Sequence, residues 1–344
     1  MRVLAAMSGG VDSSVAAALL LEQGHEVMGA TMKLWGGESD QGCCSVADVD
    51  DARRVAQQLG IVHHVFSFGD EFDVHVVNPY VAAHAAGRTP NPCVECNRHL
   101  KFDRFLRRAM QLGFDAVATG HHARVVQIDG RWRLRRGADA AKDQSYVLHM
   151  LDQSSLARTL FPVGSMTKAD VRGVAARLGL RTAAKADSQD VCFISRTGGR
   201  AAFLGERIPL RPGRIVDRSG AVVGSVPAVE LVTVGQRRGL GAGNGPDGER
   251  QFAVAVDVPG ATVTVGSLAD LLTDVVALEQ LTWVDRPAAV GAPVLVQTSA
   301  HGRAVGGTFR GDRVELAEPI RRVAPAQSVV LYDGDDVLGG GVAR

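Results

Sequence analysis

Through the first 190 residues, short apolar runs alternate with longer helix-like stretches. Val3 to Met7 predicts a strand ending at Ser8-Gly9-Gly10, and the alanine- and leucine-rich Ser13 to Leu21 predicts a helix. Further strands are expected at Val27 to Leu34, Ile61 to Phe66 and Ala116 to Thr119. Helices are expected over Ser45 to Leu59, Phe72 to Ala86 and Leu100 to Leu112, the first with Ser45 as N-cap and Asp48 three residues on. This alternation implies an α/β domain whose parallel sheet is covered on both faces. Two segments interrupt it. Gly87 to Asn97, GRTPNPCVECN, is expected to stay an irregular loop because its two prolines block regular structure. Arg124 to Arg136 reads as a hairpin around Asp129-Gly130. After about Thr197 the pattern changes to short β-branched runs between Gly, Pro and Asp: Ile215-Val216, Ala221 to Val226, Leu231 to Val234, Phe252 to Val258 and Thr262 to Val265. A short helical spell near Leu268 to Leu272 precedes a strand-rich stretch from Val275 to Val342, expected to form a barrel. The expected domains are residues 1–197 (α/β), 198–270 (small, β-rich) and 271–344 (β-barrel).

Composition narrows the class. Hydrophobic residues are 46% and charged residues 22%, ordinary for a globular protein. No apolar run approaches the roughly 18 residues of a membrane span. The opening MRVLAAMSGG has too short an apolar core for a signal peptide, so a cytoplasmic protein with no membrane partner is expected. The net charge of +1 means that any RNA or acidic partner must be held by local patches. Candidate patches are Arg124, Arg131, Arg133, Arg135 and Arg136 on the hairpin, Arg237-Arg238, and Arg321-Arg322. The five cysteines are Cys43, Cys44, Cys93, Cys96 and Cys192. An odd number without a secretion signal points to thiol or metal chemistry rather than a disulfide framework.

Ser8-Gly9-Gly10-Val11-Asp12-Ser13-Ser14 lies between the first strand and the first helix. Glycines let the backbone approach an anion, while hydroxyls and the helix N-terminus supply donors to phosphate oxygens. A Walker A loop would need Gly-Lys-Ser/Thr, and the chain contains no Gly-Lys pair. Cys93-x-x-Cys96 with the distant Cys192 suits a persulfide relay, in which one thiolate carries sulfur and another releases it. The same three thiols suit an iron–sulfur cluster, and His99 and His121 leave a structural zinc site open. Cys43-Cys44 reads as structural, with a sulfur-receiving role as the alternative.

The Ser8–Ser14 loop resembles the signature of the PP-loop ATP pyrophosphatases, which transfer AMP to a carbonyl oxygen. Together with TPNPCVECN from Thr89, ATGHHAR from Ala118, KDQSY from Lys142, DSQDVCFI from Asp187, VGQRRGLG from Val234 and VAPAQSVVLYDGDDVLGGG from Val323, the chain resembles the bacterial tRNA-specific 2-thiouridylases over nearly its whole length. The resemblance implies a Rossmann-like PP-loop domain, with ATP on Ala6, Met7, Ser8, Gly9, Gly10, Val11, Asp12 and Ser13 and with Met32 and Gly120 beside the adenosine. It implies Cys192 as the persulfide carrier and Cys96 as the cysteine that attacks it, ending in a disulfide between the two. It also implies that Asn91, Pro92 and Cys93 touch a flipped-out target base, and that His121, Lys142, Asp143, Gln144 and Gln327 contact tRNA. Some relatives carry aspartate at the position of Cys93, so the acid/base role proposed for it there does not transfer to a thiol. Cys93, Cys96 and Cys192 holding a [4Fe-4S] cluster is the alternative to the relay. Mg²⁺ is expected with ATP, and Asp12 is the residue expected to orient it or the phosphate. A cysteine desulfurase or relay protein is expected as sulfur donor, and lysine, glutamate and glutamine tRNAs as acceptors. Rival readings are an amide-forming PP-loop synthetase, which leaves the cysteines idle, and a silent nucleotide- or RNA-binding module.

Overall fold

The computed structural model describes residues 1–34, 46–187, 191–195, 199–241 and 248–344, with the backbone alone described at 192 and 195. Cys43, Cys44 and the predicted cap Ser45 lie outside the described residues. The first domain is built from β1 (Arg2–Ala6), α1 (Val11–Glu22), β2 (Glu26–Lys33), α2 (Val46–Gln58) and β3 (His63–Ser67). Next come α3 (Gly69–Phe72), a π-helical segment Asp73–Val77 and α4 (Asn78–Ala85). A second helical run follows, made of α5 (Pro92–Glu95), a π-helical segment Cys96–Phe105 and α6 (Leu106–Gln111). After β4 (Ala116–Ala118) and the hairpin β5 (Ala123–Ile128) and β6 (Arg131–Arg136) come α7 (Gln153–Leu156), β7 (Thr159–Leu160), α8 (Lys168–Arg177), α9 (Cys192–Ser195) and α10 (Arg200–Gly205).

The sheet order β3-β2-β1-β4-β7 is parallel throughout. Alternate residues of β1 feed two cores: Leu4 and Ala6 join Phe72, Tyr80, Phe105 and Phe193, while Val3 and Ala5 join Val15, Leu20, Val55 and Val171. The chain leaves β1 towards β2 on one side and reaches β4 on the other. The C-terminal ends of β1 and β4 therefore flank a topological switch point, where open α/β sheets bind ligands.

The expected irregular loop at Gly87 to Asn97 is corrected in part. Pro92 opens α5, a position where its missing N–H costs nothing, and the Asn91 side chain accepts from Cys93 N at 3.0 Å as N-cap. Cys192 likewise begins a helical turn instead of lying outside one. In the central domain β8 (Gly213–Val216), β9 (Val222–Val226), β10 (Phe252–Asp257) and β11 (Thr262–Gly266) form a four-stranded sheet in the order β10-β11-β8-β9. Leu231 to Val234 is not a strand. The chain there turns through a 3₁₀ segment at Val229–Leu231, pinned by the buried Glu230 carboxylate, which accepts from Arg211 N and Nε at 2.9 Å each.

After α11 (Leu268–Leu271) come β12 (Leu272–Trp283), β13 (Pro293–Gln297), β14 (Val305–Phe309), β15 (Arg313–Arg321), β16 (Ser328–Asp333) and β17 (Asp336–Ala343). Pairing of β12 with β17 closes these six into a barrel. The β5–β6 hairpin extends this sheet from the first domain, through Arg135 opposite Asp336, and shares a core of Ala123, Leu134, Tyr146, Val330 and Tyr332 with it. Among the described residues, no helix is long and apolar enough to cross a membrane.

Candidate functional site

The loop after β1 is shaped by its own small residues. Gly9 has φ +73°, and a Cβ there would lie 2.2 Å from Asp48 O, so no other residue fits. Ser13 Oγ and Ser14 Oγ donate to Gly10 O at 3.1 and 2.8 Å, and Ser8 N donates to Ser13 Oγ at 3.2 Å. The N-terminus of the 12-residue α1 opens at this loop, offering backbone N–H groups to an anion. Gly120, just past β4, packs so closely on α1 that its Cβ would lie 2.6 Å from Ser13 N. Met32 is buried near the end of β2. The residues expected to hold ATP thus gather at the ends of β1, β2 and β4.

Two lysines that sequence reasoning missed flank this loop. Lys168 Nζ donates to both Asp12 oxygens at 2.8 and 2.7 Å and lies 3.0 Å from Asp187. Lys185 Nζ donates to Gly9 O at 2.9 Å and pairs with Asp48 and Asp51 at 2.8 Å each. The only sequence signal for Lys168 is the box Thr167-x-x-Asp170, which places it at the first position of α8. Burial alone would raise the Asp12 pKa, but hydrogen bonds and charge from His122 and Lys168 outweigh it and hold the carboxyl below its ordinary value. Asp187 also takes Lys142 at 2.8 Å and Arg172 at 2.7 Å, and despite some desolvation Lys142 and Lys168 hold it well below the usual range. Asp187 opens the segment that leads to Cys192, so one chain of charges runs from the loop to that segment.

Cys93 and Cys96 stand three residues apart at the helix start, both partly buried. Cys96 packs against the core cluster that contains Phe193 and Ile194 of α9. The cysteine-bearing helix start and the turn carrying Cys192 therefore share one core. Burial pushes the Cys96 thiol up to about 11, against the pull of Lys101 and with the nearby Cys93 adding to the rise. One turn on, His99 Nε2 meets Glu95 at 3.2 Å and stacks on His75 at 4.7 Å.

The residues expected to contact tRNA fall into two groups. Asn91, Pro92 and Cys93 form the helix start, and Lys142 is half-buried beside Asp187. The others make contacts within the protein. His121 is buried between Phe102 and Phe161, with Thr119 Oγ1 at 2.6 Å from its Nδ1. Burial, with Lys101 and His122 nearby, drives its pKa well down, so it is neutral. The Asp143 carboxylate accepts from Gly137 N, Ser145 N and Arg136, and Gln144 Oε1 accepts from His122 N at 2.9 Å. Gln327 Nε2 donates to Thr89 O at 2.6 Å.

The hairpin arginines are not a free basic patch. Arg124 meets Asp335 and Arg131 meets Asp285, at 2.9 Å each, while Arg133 and Arg135 share Asp336 and Arg136 holds Asp143. Their charges tie the hairpin to the barrel.

Three family models match the chain: the tRNA methyl transferase HUP domain over residues 1–196, the tRNA methyl transferase PRC-barrel domain over 201–267 and the aminomethyltransferase beta-barrel domain over 277–343. The chain is 46% identical over 359 residues to the tRNA-specific 2-thiouridylase MnmA of Mycolicibacterium gilvum, covering 100% of this chain and 99% of the relative. It is 47% identical over 357 residues to the enzyme of that name from Chloroflexus aurantiacus (99% and 98%), and 48% identical over 356 residues to that of Mycobacterium bovis (98% and 95%).

Proposed function

Because this chain belongs to the MnmA family of tRNA-specific 2-thiouridylases, we propose that it exchanges the C2 oxygen of a wobble uridine for sulfur by adenylation followed by persulfide transfer. It is a tRNA-uridine 2-sulfurtransferase that uses ATP and acts on tRNA. The descriptions of the domain models mention methyl transfer, but a PP-loop beside paired thiols suits adenylation and sulfur transfer. One observation carries the mechanism: Cys96 packs into the same core as the turn that bears Cys192, below the crevice that suits ATP.

The loop Ser8–Ser13, with Lys168 and Lys185 beside it, would hold the β,γ-pyrophosphate while the flipped uridine meets the α-phosphate over Asn91-Pro92-Cys93. AMP then sits on O2 as a leaving group. The terminal sulfur of a Cys192 persulfide attacks C2 and AMP departs. Cys96 gives up its proton, attacks Cys192 Sγ, breaks its bond to the transferred sulfur and leaves a Cys96–Cys192 disulfide, which an external thiol reduces before the next turnover. Mg²⁺ bound with the nucleotide would neutralise pyrophosphate charge, and the ionised Asp12 is the loop carboxylate that would hold it.

A [4Fe-4S] cluster would need the thiolates of Cys93, Cys96 and Cys192, and the raised Cys96 thiol opposes ligation and relay alike, because both use its deprotonated form. We favour the relay on the resemblance to the 2-thiouridylases, with a cysteine desulfurase or a relay protein as donor and the lysine, glutamate and glutamine tRNAs as acceptors.

The test is nucleoside mass spectrometry of unmodified glutamate tRNA incubated with enzyme, Mg-ATP, cysteine and a desulfurase, beside an anaerobic arm given iron and sulfide. The relay predicts 2-thiouridine in the first arm, lost in Cys96→Ala and in Cys192→Ala. Thiolation confined to the second arm would replace the relay with the cluster. AMP formation without thiouridine in either arm would return the amide-forming synthetase.

A further inference from the structure

A groove of about 650 Å³ runs between the central domain and the barrel, lined by Arg237, Arg250, Arg321, Glu249, Phe252 and Ser267. Three guanidinium groups face one carboxylate, leaving two net positive charges on a chain whose total is +1. None of the three arginines has an ion pair among the described residues, whereas every hairpin arginine faces an aspartate. A concentration of arginines that have no ion pair among the described residues, in a concave surface, is the footprint of a polyanion site.

The groove is held firmly. Arg321 lies over the Phe252 ring at 5.6 Å, and its neighbour Arg322 donates from its backbone N to Leu271 O at 2.7 Å. Arg237 follows a pinned turn in which Gln236 N donates to Thr233 O and Ala253 N to Gln236 O, at 2.9 Å each. Both arginine-bearing segments also grip the chain just before the cysteine helix. Thr233 meets Thr89 through their hydroxyls at 3.4 Å, and Pro325 O accepts from Thr89 N at 2.8 Å. Arg237 and Arg321 each lie four residues from those contacts, and four residues span at most about 14 Å. Thr89 itself is two residues from Asn91.

We propose that this groove binds the phosphodiester backbone of the tRNA flanking the target base, an inference that rests on the thiolation reading above. Guanidinium groups in an open groove spread over two domains suit a string of phosphates better than a single nucleotide. The contacts fix where the RNA lies and carry no base specificity.

The test is filter binding of unmodified glutamate tRNA between 50 and 200 mM KCl, on wild type, Arg237→Gln, Arg250→Gln, Arg321→Gln and the triple variant. Each single change should flatten the slope of log K against log salt by about one unit, and the triple should weaken binding more than about tenfold. The triple Arg→Lys variant keeps the charges and should keep the wild-type slope, while the hairpin variant Arg131→Gln should leave it unchanged. A triple Gln variant that binds like wild type, or a triple Lys variant that binds as poorly as the Gln one, overturns the proposal. So does a triple variant with intact tRNA binding that loses thiolation only when a desulfurase supplies the sulfur, because the groove would then seat the donor protein. If wild type binds tRNA and the triple variant does not, yet wild type forms no 2-thiouridine, the groove stands and the thiolation reading falls.

Discussion

The side chain of Lys168 is only 12% exposed and spans two carboxylates, Asp12 on the loop and Asp187 at the start of the Cys192 segment. When the pyrophosphate of ATP enters, this ammonium is the charge best placed to meet it, at a cost that Asp12 and Asp187 keep low by holding it ready. Lys168→Gln should cut tRNA-dependent AMP formation about 100-fold, with Lys168→Arg recovering part of it. Filter binding of tRNA should stay unchanged in both, and a loss of binding would make Lys168 a scaffold residue. The raised Cys96 thiol yields a second expectation. A thiol whose pKa is about 11 stays protonated at neutral pH, so iodoacetamide should label Cys96 slowly at pH 7 and faster with each step towards pH 10. Levelling off near pH 8.5, followed by peptide mass spectrometry, would contradict the burial argument. Lys101 pulls the pKa down, so Lys101→Met should slow labelling further.

Elements carry the next constraint, because the crevice exists only where β1, β4 and α1 meet closely. Adding a Cβ at Gly120 brings it 2.6 Å from Ser13 N, which the backbone of α1 cannot yield without moving the loop. Gly120→Ala should therefore raise the KM for ATP at least about tenfold while leaving tRNA binding intact. An unchanged KM in pyrophosphate-release assays would remove Gly120 from the site. This loop was legible in the sequence because its seven residues are contiguous and the strand and helix around it have plain apolar patterns. The start of the cysteine helix was not, since Pro92 reads as a breaker until Asn91 is seen to cap it. Lys168 and Lys185 were invisible for another reason: they meet their loop partners across 156 and 176 residues, and no local pattern encodes such a distance. The hairpin at Asp129-Gly130 was readable, but the aspartates that neutralise it come from the far end of the chain.

At the scale of the whole molecule, all three domains converge on the few residues before the cysteine helix. Thr89 donates its backbone N to Pro325 O of the barrel, accepts from Gln327 through its carbonyl and meets Thr233 of the central domain, while the adjacent Arg88 pairs with Glu279. Chain entropy would otherwise leave a segment ending in Arg88-Thr89-Pro90 broad freedom, so this clasp fixes where Asn91 and Cys93 start the cysteine helix. Gln327 donates one amide N–H to Thr89 O at 2.6 Å, so its place in the clasp is set before any tRNA arrives. Gln327→Ala should thus speed amide hydrogen exchange over residues 87–91 and lower the thiolation kcat several-fold, with tRNA affinity nearly unchanged. The Pro325 bond survives the change, so the loss should be partial, and adding Arg88→Ala to it should deepen the effect. Unchanged exchange together with weaker tRNA binding would mean that the amide turns outward to RNA when substrate arrives, and the barrel would then act as a tRNA-reading surface instead of a brace.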